Sequence, residues 1–151
     1  GGGGEILLCC DHRIADERSQ IGWPQSRLGI IPAWNGIDRL VRDCGPRVAS
    51  RLMTTGARID ANEALKLGII DQVAKPGGSL SDALAHAELL EAAAPMALRV
   101  TKQVIKATGT STPDEVRALQ NQVFADLWFS ADHKEAEAAF AEKRAPVFKG
   151  E

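Results

Sequence analysis

The sequence predicts an α/β portion over residues 1–78 followed by an all-helical portion over residues 79–151. Before residue 79, short apolar runs that fit strands alternate with helical segments and with turns rich in glycine and proline. After residue 79, four stretches with helical apolar spacing follow one another without a strand between them. With 44% hydrophobic and 25% charged residues, the chain has the composition of a globular protein with a sizeable core.

The first portion begins with an apolar run over residues 5–10, whose length fits either a buried strand or the first turns of a buried helix. Residues 19–23 predict a short strand that Pro24 ends. Apolar spacing from about 33 to 42 indicates a helix, and Gly45-Pro46 breaks it.

The rest of this portion contains two more helices and a strand. A helix is predicted from Pro46 to Met53, and Asp60 should cap another over residues 61–67, which Gly68 terminates. Residues 69–73 then predict a brief strand. Two or three short strands leave edges and apolar faces uncovered, so we expect the chain to be stable only within a larger assembly.

The second portion consists of helices with proline or hydroxyl residues at their starts. The predicted ranges are 79–93, 95–108, 114–129 and 131–144, followed by an irregular tail over 146–151.

Charge and cysteine content exclude several classes of protein. A net charge of −2 gives no broad attraction to nucleic acid or anionic membrane, and no apolar run approaches the roughly 20 residues that span a bilayer. The odd set Cys9, Cys10 and Cys44 has neither disulfide nor metal-site spacing. We therefore expect reduced, mostly buried thiols in a cytoplasmic protein, with no metal site.

Four segments form an ordered pattern: residues 1–15, 28–40, 52–73 and 140–148. The first reads Gly-Gly-Gly-Gly-Glu, then an apolar run and Cys-Asp; four glycines alone would fit a flexible linker equally well. The third contains Thr-Gly-x-x-Ile-x-Ala over residues 55–61 and ends with Gly-Ile-Ile-x-x-Val over residues 68–73. Together the segments resemble the crotonase (enoyl-CoA hydratase/isomerase) superfamily over nearly the whole chain, and specifically its C-terminal half.

The resemblance implies a fold and an assembly. Residues 1–78 would be part of the crotonase-like ββα spiral, and residues 79–151 a helical trimerisation region that covers the active site. Homotrimers or dimers of trimers would be expected, the missing N-terminal half would be needed, and this part alone would be inactive. The resemblance also resolves residues 5–10 as a helix, with Cys9 and Cys10 packed in its interior.

The resemblance further implies an acyl-CoA thioester as substrate, with no additional cofactor, and an enolate-like intermediate. Gly2 would supply one of two backbone N–H groups that stabilise the oxyanion, and the other would come from an upstream segment. Glu5 matches a catalytic glutamate that exchanges a proton with substrate or water. The alternative for Glu5 is a first-turn residue placed favourably on the helix dipole.

Two departures from the family pattern bear on the reaction. Gln25 stands where two-carboxylate hydratases carry a second glutamate, and glutamine cannot take up a proton near neutral pH. Efficient hydration is therefore in doubt, although Gln25 could hold a water or a substrate carbonyl. The resemblance implies substrate-binding positions at Trp34 and Gly36, but the loop that carries them is poorer in glycine than the family form. Trp34 should therefore either line the acyl pocket or join the core, while Trp23 should pack in the core.

Phe124 and Lys143 match aromatic and basic positions that contact CoA in the family. The alternatives are a buried Phe124 and a solvated helix end at Lys143. The expected function is that of an enoyl-CoA hydratase/isomerase-type lyase of fatty acid metabolism. A one-carboxylate acyl-CoA decarboxylase and a non-catalytic crotonase-like scaffold are the alternatives.

Overall fold

The computed structural model describes all of residues 1–151 and divides them into two compact units, Gly1–Ala85 and His86–Glu151. Seven α-helices, one 3₁₀ helix and four short strands confirm a mixed α/β chain. No helix is both long and apolar enough to cross a membrane.

The first unit contains all four strands and the 3₁₀ helix. The helix Ser79–Glu91 includes the boundary between the two units. In chain order the elements are α1 (Gly2–Leu7), β1 (Ile14–Asp16), β2 (Gln20–Gly22), the 3₁₀ helix (Pro24–Leu28), α2 (Gly36–Thr55), β3 (Arg58–Asp60), α3 (Ala61–Lys66), β4 (Gln72–Ala74) and α4 (Ser79–Glu91).

The strands form two separate pairs. β1 lies parallel to β4, with Ala15 opposite Val73, and β2 lies antiparallel to β3, with Ile21 opposite Ile59. The strand predicted at 69–73 is observed at Gln72–Ala74 instead. Ile69 and Ile70, which suggested the earlier start, are buried in the core but precede the strand. β1 and β3 were not predicted, since each has only three residues and ends in an aspartate, so that no apolar run marks it as a strand.

The core of this unit lies between the strands, α2 and α3. Its largest fully buried side chains come from five different positions along the chain, which ties the separate segments into one cluster: Trp23, Leu40, Leu52, Ile69 and Ile70. The prediction that Trp23 packs in the core is confirmed.

The predicted break at Gly45-Pro46 is confirmed as a kink inside α2. Gly45 has φ 81° and ψ 162°, a conformation that a residue with a Cβ rarely adopts, and Pro46 then starts the second half of the helix. Asp60 caps α3 by accepting a hydrogen bond from the Glu63 N–H at 2.8 Å, as the sequence predicts.

Arg13 joins three parts of the first unit. Its guanidinium donates to the carbonyls of Leu8 at 3.1 Å, Cys10 at 2.9 Å and Ile69 at 3.2 Å. It also forms an ion pair with Asp43 of α2 at 2.7 Å, and its side chain is only 12% exposed. One planar cation thus connects the end of α1, the approach to β4, and α2.

The expectation of buried cysteines is wrong for two of the three. α1 ends at Leu7, so Cys9 and Cys10 lie beyond the helix and are exposed rather than packed inside it. Their thiols reach back to the carbonyls of Glu5 and Ile6. Cys44 is half-buried, and this burial raises the pKa of its thiol.

The second unit is helical, as predicted. Beyond the end of α4 it consists of α5 (Pro95–Thr108), α6 (Pro113–Trp128) and α7 (Ala131–Glu142). A capping box joins Thr112 and Glu115 at the start of α6, and the Ser130 hydroxyl accepts from the His133 N–H at the start of α7.

The irregular C-terminal tail is held against α7 by two carboxylates. Asp132 is buried, and its oxygens accept the N–H groups of Lys149 at 2.7 Å and Gly150 at 2.9 Å. Glu135 accepts from the Val147 N–H at 2.9 Å, and its hydrogen bond from Arg144 lowers the pKa of the carboxyl to about 2. The tail lacks helix or strand but has defined partners.

Replacing Asp132 with asparagine should release this tail. One acceptor oxygen becomes an NH₂ donor that faces a backbone N–H, so we expect a cost of about 2 kcal/mol and roughly 30-fold more undocked tail. Chymotryptic cleavage after Phe148 in the full-length protein measures the effect. Asp126→Asn, an exposed site with the same change of charge, is the control and should be cleaved at the wild-type rate.

Candidate active site

Glu5 is a buried carboxylate whose two oxygens have different partners. Its side chain is 4% exposed although it lies on the short helix α1. Oε1 accepts the backbone N–H of Trp34 at 2.7 Å and that of Gly36 at 3.3 Å. Oε2 accepts the side-chain amide of Gln25 at 3.2 Å. The structure therefore brings three of the predicted site residues, Gln25, Trp34 and Gly36, to the carboxylate of a fourth, Glu5.

Gly36 fits this arrangement because it has no side chain. A Cβ at this position would lie 2.8 Å from Cγ and 2.9 Å from Oε1 of Glu5, so any larger residue would displace the carboxylate. Asn35, with φ 61°, supplies the left-handed turn that leads into Gly36. The sequence indicated Gly36 as a substrate-binding residue, but its contact with Glu5 depends on loop geometry that no sequence pattern encodes.

Gln25 reaches Glu5 from the 3₁₀ helix that Pro24 opens. It is 7% exposed, and its amide nitrogen is the donor to Glu5. The amide oxygen is buried and has no hydrogen-bond partner. A buried acceptor without a donor is uncommon and calls for an explanation.

Trp34 does not join the core. Its side chain is 59% exposed, which excludes one of the two predicted alternatives and leaves the other, lining of a substrate pocket, as a prediction. Its ring lies beside Gly2, the first residue of α1, where an added Cβ would approach the ring to 3.0 Å. The backbone of Trp34 thus contacts the carboxylate, and its ring borders the predicted oxyanion donor.

Cavities within the chain lie elsewhere. Open cavities of about 420 Å³ and 580 Å³ border α1 and the 3₁₀ helix, respectively, but neither is lined by Glu5 or Gln25. The candidate site is therefore defined by the hydrogen bonds of the buried carboxylate. No group of three or more histidine, cysteine or acidic side chains is arranged to hold a metal ion.

Phe124 and Lys143 belong to the second unit. Phe124 lies on α6 and is exposed, with its ring centroid 5.5 Å from that of Trp128, so the alternative of a buried Phe124 is wrong. Lys143 caps α7 in the left-handed region with φ 55° and is also exposed. Contact of either residue with CoA stays a prediction.

Comparison with known families gives one consistent result. The model of the enoyl-CoA hydratase/isomerase family matches residues 1–151. The chain is 35% identical over 144 residues to a short-chain-enoyl-CoA hydratase of Clostridium acetobutylicum, covering 95% of this chain and 55% of that protein. It is 38% identical over 151 residues to an enoyl-CoA isomerase/hydratase of Mycosarcoma maydis, covering 99% and 55%.

Solved structures show the same likeness. An enoyl-CoA hydratase from Bacillus anthracis superposes with a TM-score of 0.95 at 34% identity, covering 100% of this chain and 58% of that chain. The chain thus spans just over half the length of the proteins that it resembles.

Proposed function

Because this chain belongs to the enoyl-CoA hydratase/isomerase family, we propose that its full-length protein acts on an acyl-CoA thioester through an enolate-type intermediate. The observation that supports this most directly is Glu5, a buried carboxylate that accepts three N–H groups. The three donors to Glu5 are neutral amides, two from the backbone and one from Gln25, so none of them neutralises the charge of the carboxylate. No observation favours the decarboxylase or scaffold alternatives.

The proposed roles follow from the chemistry of a thioester. Glu5 takes a proton from the α-carbon, and the electron pair of that C–H bond passes to the thioester oxygen. The N–H of Gly2 donates to this developing oxyanion together with a second N–H from outside this chain. Glu5 then returns the proton, so it acts in turn as base and acid.

We further propose that the chain is the C-terminal part of a crotonase-like spiral, residues 1–78, followed by an oligomerisation region, residues 79–151. The full-length protein would be a cytoplasmic homotrimer or dimer of trimers, in which Phe124 and Lys143 contact CoA and Trp34 lines the acyl pocket. In support, the second unit leaves large apolar side chains in solvent, including Phe140 at 88% exposure. No cofactor besides the CoA thioester is proposed.

Exchange of the α-protons of butyryl-CoA in D₂O tests the proposed function on the full-length protein. We expect catalysed deuterium incorporation at the α-carbon, observed by mass spectrometry, because enolate formation requires neither water addition nor a double bond. Free butyrate lacks the thioester and is the control, which should not exchange. Thermal stabilisation by butyryl-CoA without exchange would contradict the enzymatic proposal and identify a binding protein.

A further inference from the structure

The two oxygens of Glu5 differ in their freedom to gain a proton. Oε1 accepts hydrogen bonds from two backbone N–H groups, those of Trp34 and Gly36. Because an N–H group can only donate, neither could accept a hydrogen bond from a proton on Oε1. Oε2 faces only the side-chain amide of Gln25. A proton taken up by Glu5 therefore belongs on Oε2, and the group that meets it there is Gln25.

The amide of Gln25 can serve Oε2 in either protonation state. While Glu5 is ionised, the NH₂ group donates to it, as in the structure. Once Oε2 carries a proton, the matching partner is an acceptor, and the amide oxygen becomes one when the amide turns by half a rotation. The terminal torsion of glutamine is broad and roughly two-fold, so both orientations are accessible.

The unpartnered amide oxygen supports this exchange. In the observed orientation, the Gln25 oxygen is buried without a donor, so turning the amide breaks no hydrogen bond apart from the one that it replaces. If both the nitrogen and the oxygen of the amide had hydrogen-bond partners, the amide would be fixed in one orientation. The unsatisfied atom thus has an explanation as the acceptor for the protonated form of Glu5.

We propose that Gln25 is a positioning residue that holds Glu5 in both its ionised and its protonated form, so that one carboxylate carries the proton throughout the reaction. This inference rests on the proposed function, since it assumes that Glu5 accepts the α-proton. A glutamate at position 25 would act differently, because two carboxylates at this separation share one proton and titrate as a pair.

The reaction that suits such a site is proton transfer along the acyl chain. For a 3-enoyl thioester, Glu5 removes the α-proton, the electrons pass into the dienolate, and the same proton returns at the γ-carbon to give the 2-enoyl thioester. Atoms and electrons balance with one proton carrier. Water addition is easiest when a second carboxylate orients and activates the water, and Gln25 cannot take up a proton from it. We therefore expect proton transfer to be faster than hydration.

The experiment compares the full-length wild-type protein with Gln25→Met and Gln25→Glu. Methionine matches the size of glutamine without its hydrogen bonds, so the exchange of butyryl-CoA α-protons in D₂O should fall about 10- to 100-fold in kcat, with little change in KM. Gln25→Glu should raise the rate of crotonyl-CoA hydration by roughly 100-fold. The pH dependence of that rate should also change, from a profile that falls on one side only to a bell-shaped profile.

Each result has a distinct meaning. Wild-type exchange in Gln25→Met, or a hydration profile in Gln25→Glu with its shape unchanged, would overturn the role of Gln25 while leaving the proposed function intact. Absence of exchange in the wild-type protein would overturn the proposed function itself. Since Gln25→Glu is nearly isosteric, it keeps the proposal open to refutation even if Gln25→Met does not fold.

Discussion

Replacing Glu5 with glutamine should lower the rate of α-proton exchange in butyryl-CoA by about 10²- to 10⁴-fold, the range contributed by a general base. Glutamine has almost the same shape, and its amide oxygen can still accept the N–H groups of Trp34 and Gly36. It cannot take up a proton. The loss should therefore appear in kcat, with the fold retained.

The matched control for this variant is Glu17→Gln. Glu17 is an exposed glutamate in the same unit, and its replacement makes the same change of charge. Exchange rates and melting temperatures of the three full-length proteins would be measured side by side. If Glu5→Gln exchanged the α-protons of butyryl-CoA at the wild-type rate, another residue would have to be the general base, and the proposed role of Glu5 would be refuted.

Replacing Arg13 with methionine should reduce the free energy of unfolding by about 3 kcal/mol. The change leaves Asp43 without its cation and removes the donor from three backbone carbonyls, while the methionine retains much of the apolar stem. Urea denaturation of the full-length protein measures the change. Because the guanidinium is nearly buried, added salt should not abolish the difference.

Arg42→Met is the control for Arg13. Arg42 pairs with Asp38 at 2.6 Å, a shorter distance than many ion pairs, but both side chains are largely exposed and one turn apart on α2. Such pairs contribute less than about 0.5 kcal/mol. Equal losses of unfolding free energy in Arg13→Met and Arg42→Met would refute the view that burial and the carbonyl contacts make Arg13 important for stability.

Local sequence rules predicted the α-helices that follow α1, because these have local causes; they predicted neither α1, whose sequence fitted a strand equally well, nor the 3₁₀ helix. Pro95 opens α5, Thr112 and Glu115 cap α6, Asp60 caps α3, and Gly45-Pro46 breaks α2. The strands were less predictable. β1 and β3 owe their existence to pairing with β4 and β2, which lie far away in the sequence, and no apolar run marks either as a strand.

For the candidate site, resemblance supplied the residues but not their contacts. Glu5 and Gln25 were named from the family motif, and the structure joins them by a hydrogen bond. The contacts of Glu5 with Trp34 and Gly36 come from backbone N–H groups, which every residue except proline possesses. Residue identity therefore does not reveal the Trp34 contact, and at position 36 it is only the missing Cβ of glycine that permits the close approach of Glu5. The same limit applies to Cys9 and Cys10, whose exposure depends on where α1 ends.

The anchoring of Glu5 by main-chain groups has a consequence for how this protein could diverge. At position 34 the group that holds the carboxylate is shared by nineteen amino acids, while the side chain that borders Gly2 is free to vary. Under the roles proposed for Trp34 and Glu5, mutation there would alter which acyl chains are accepted without disturbing the proton carrier. Selection for new substrates and preservation of the chemistry would then act on different atoms of one residue, with proline as the exception.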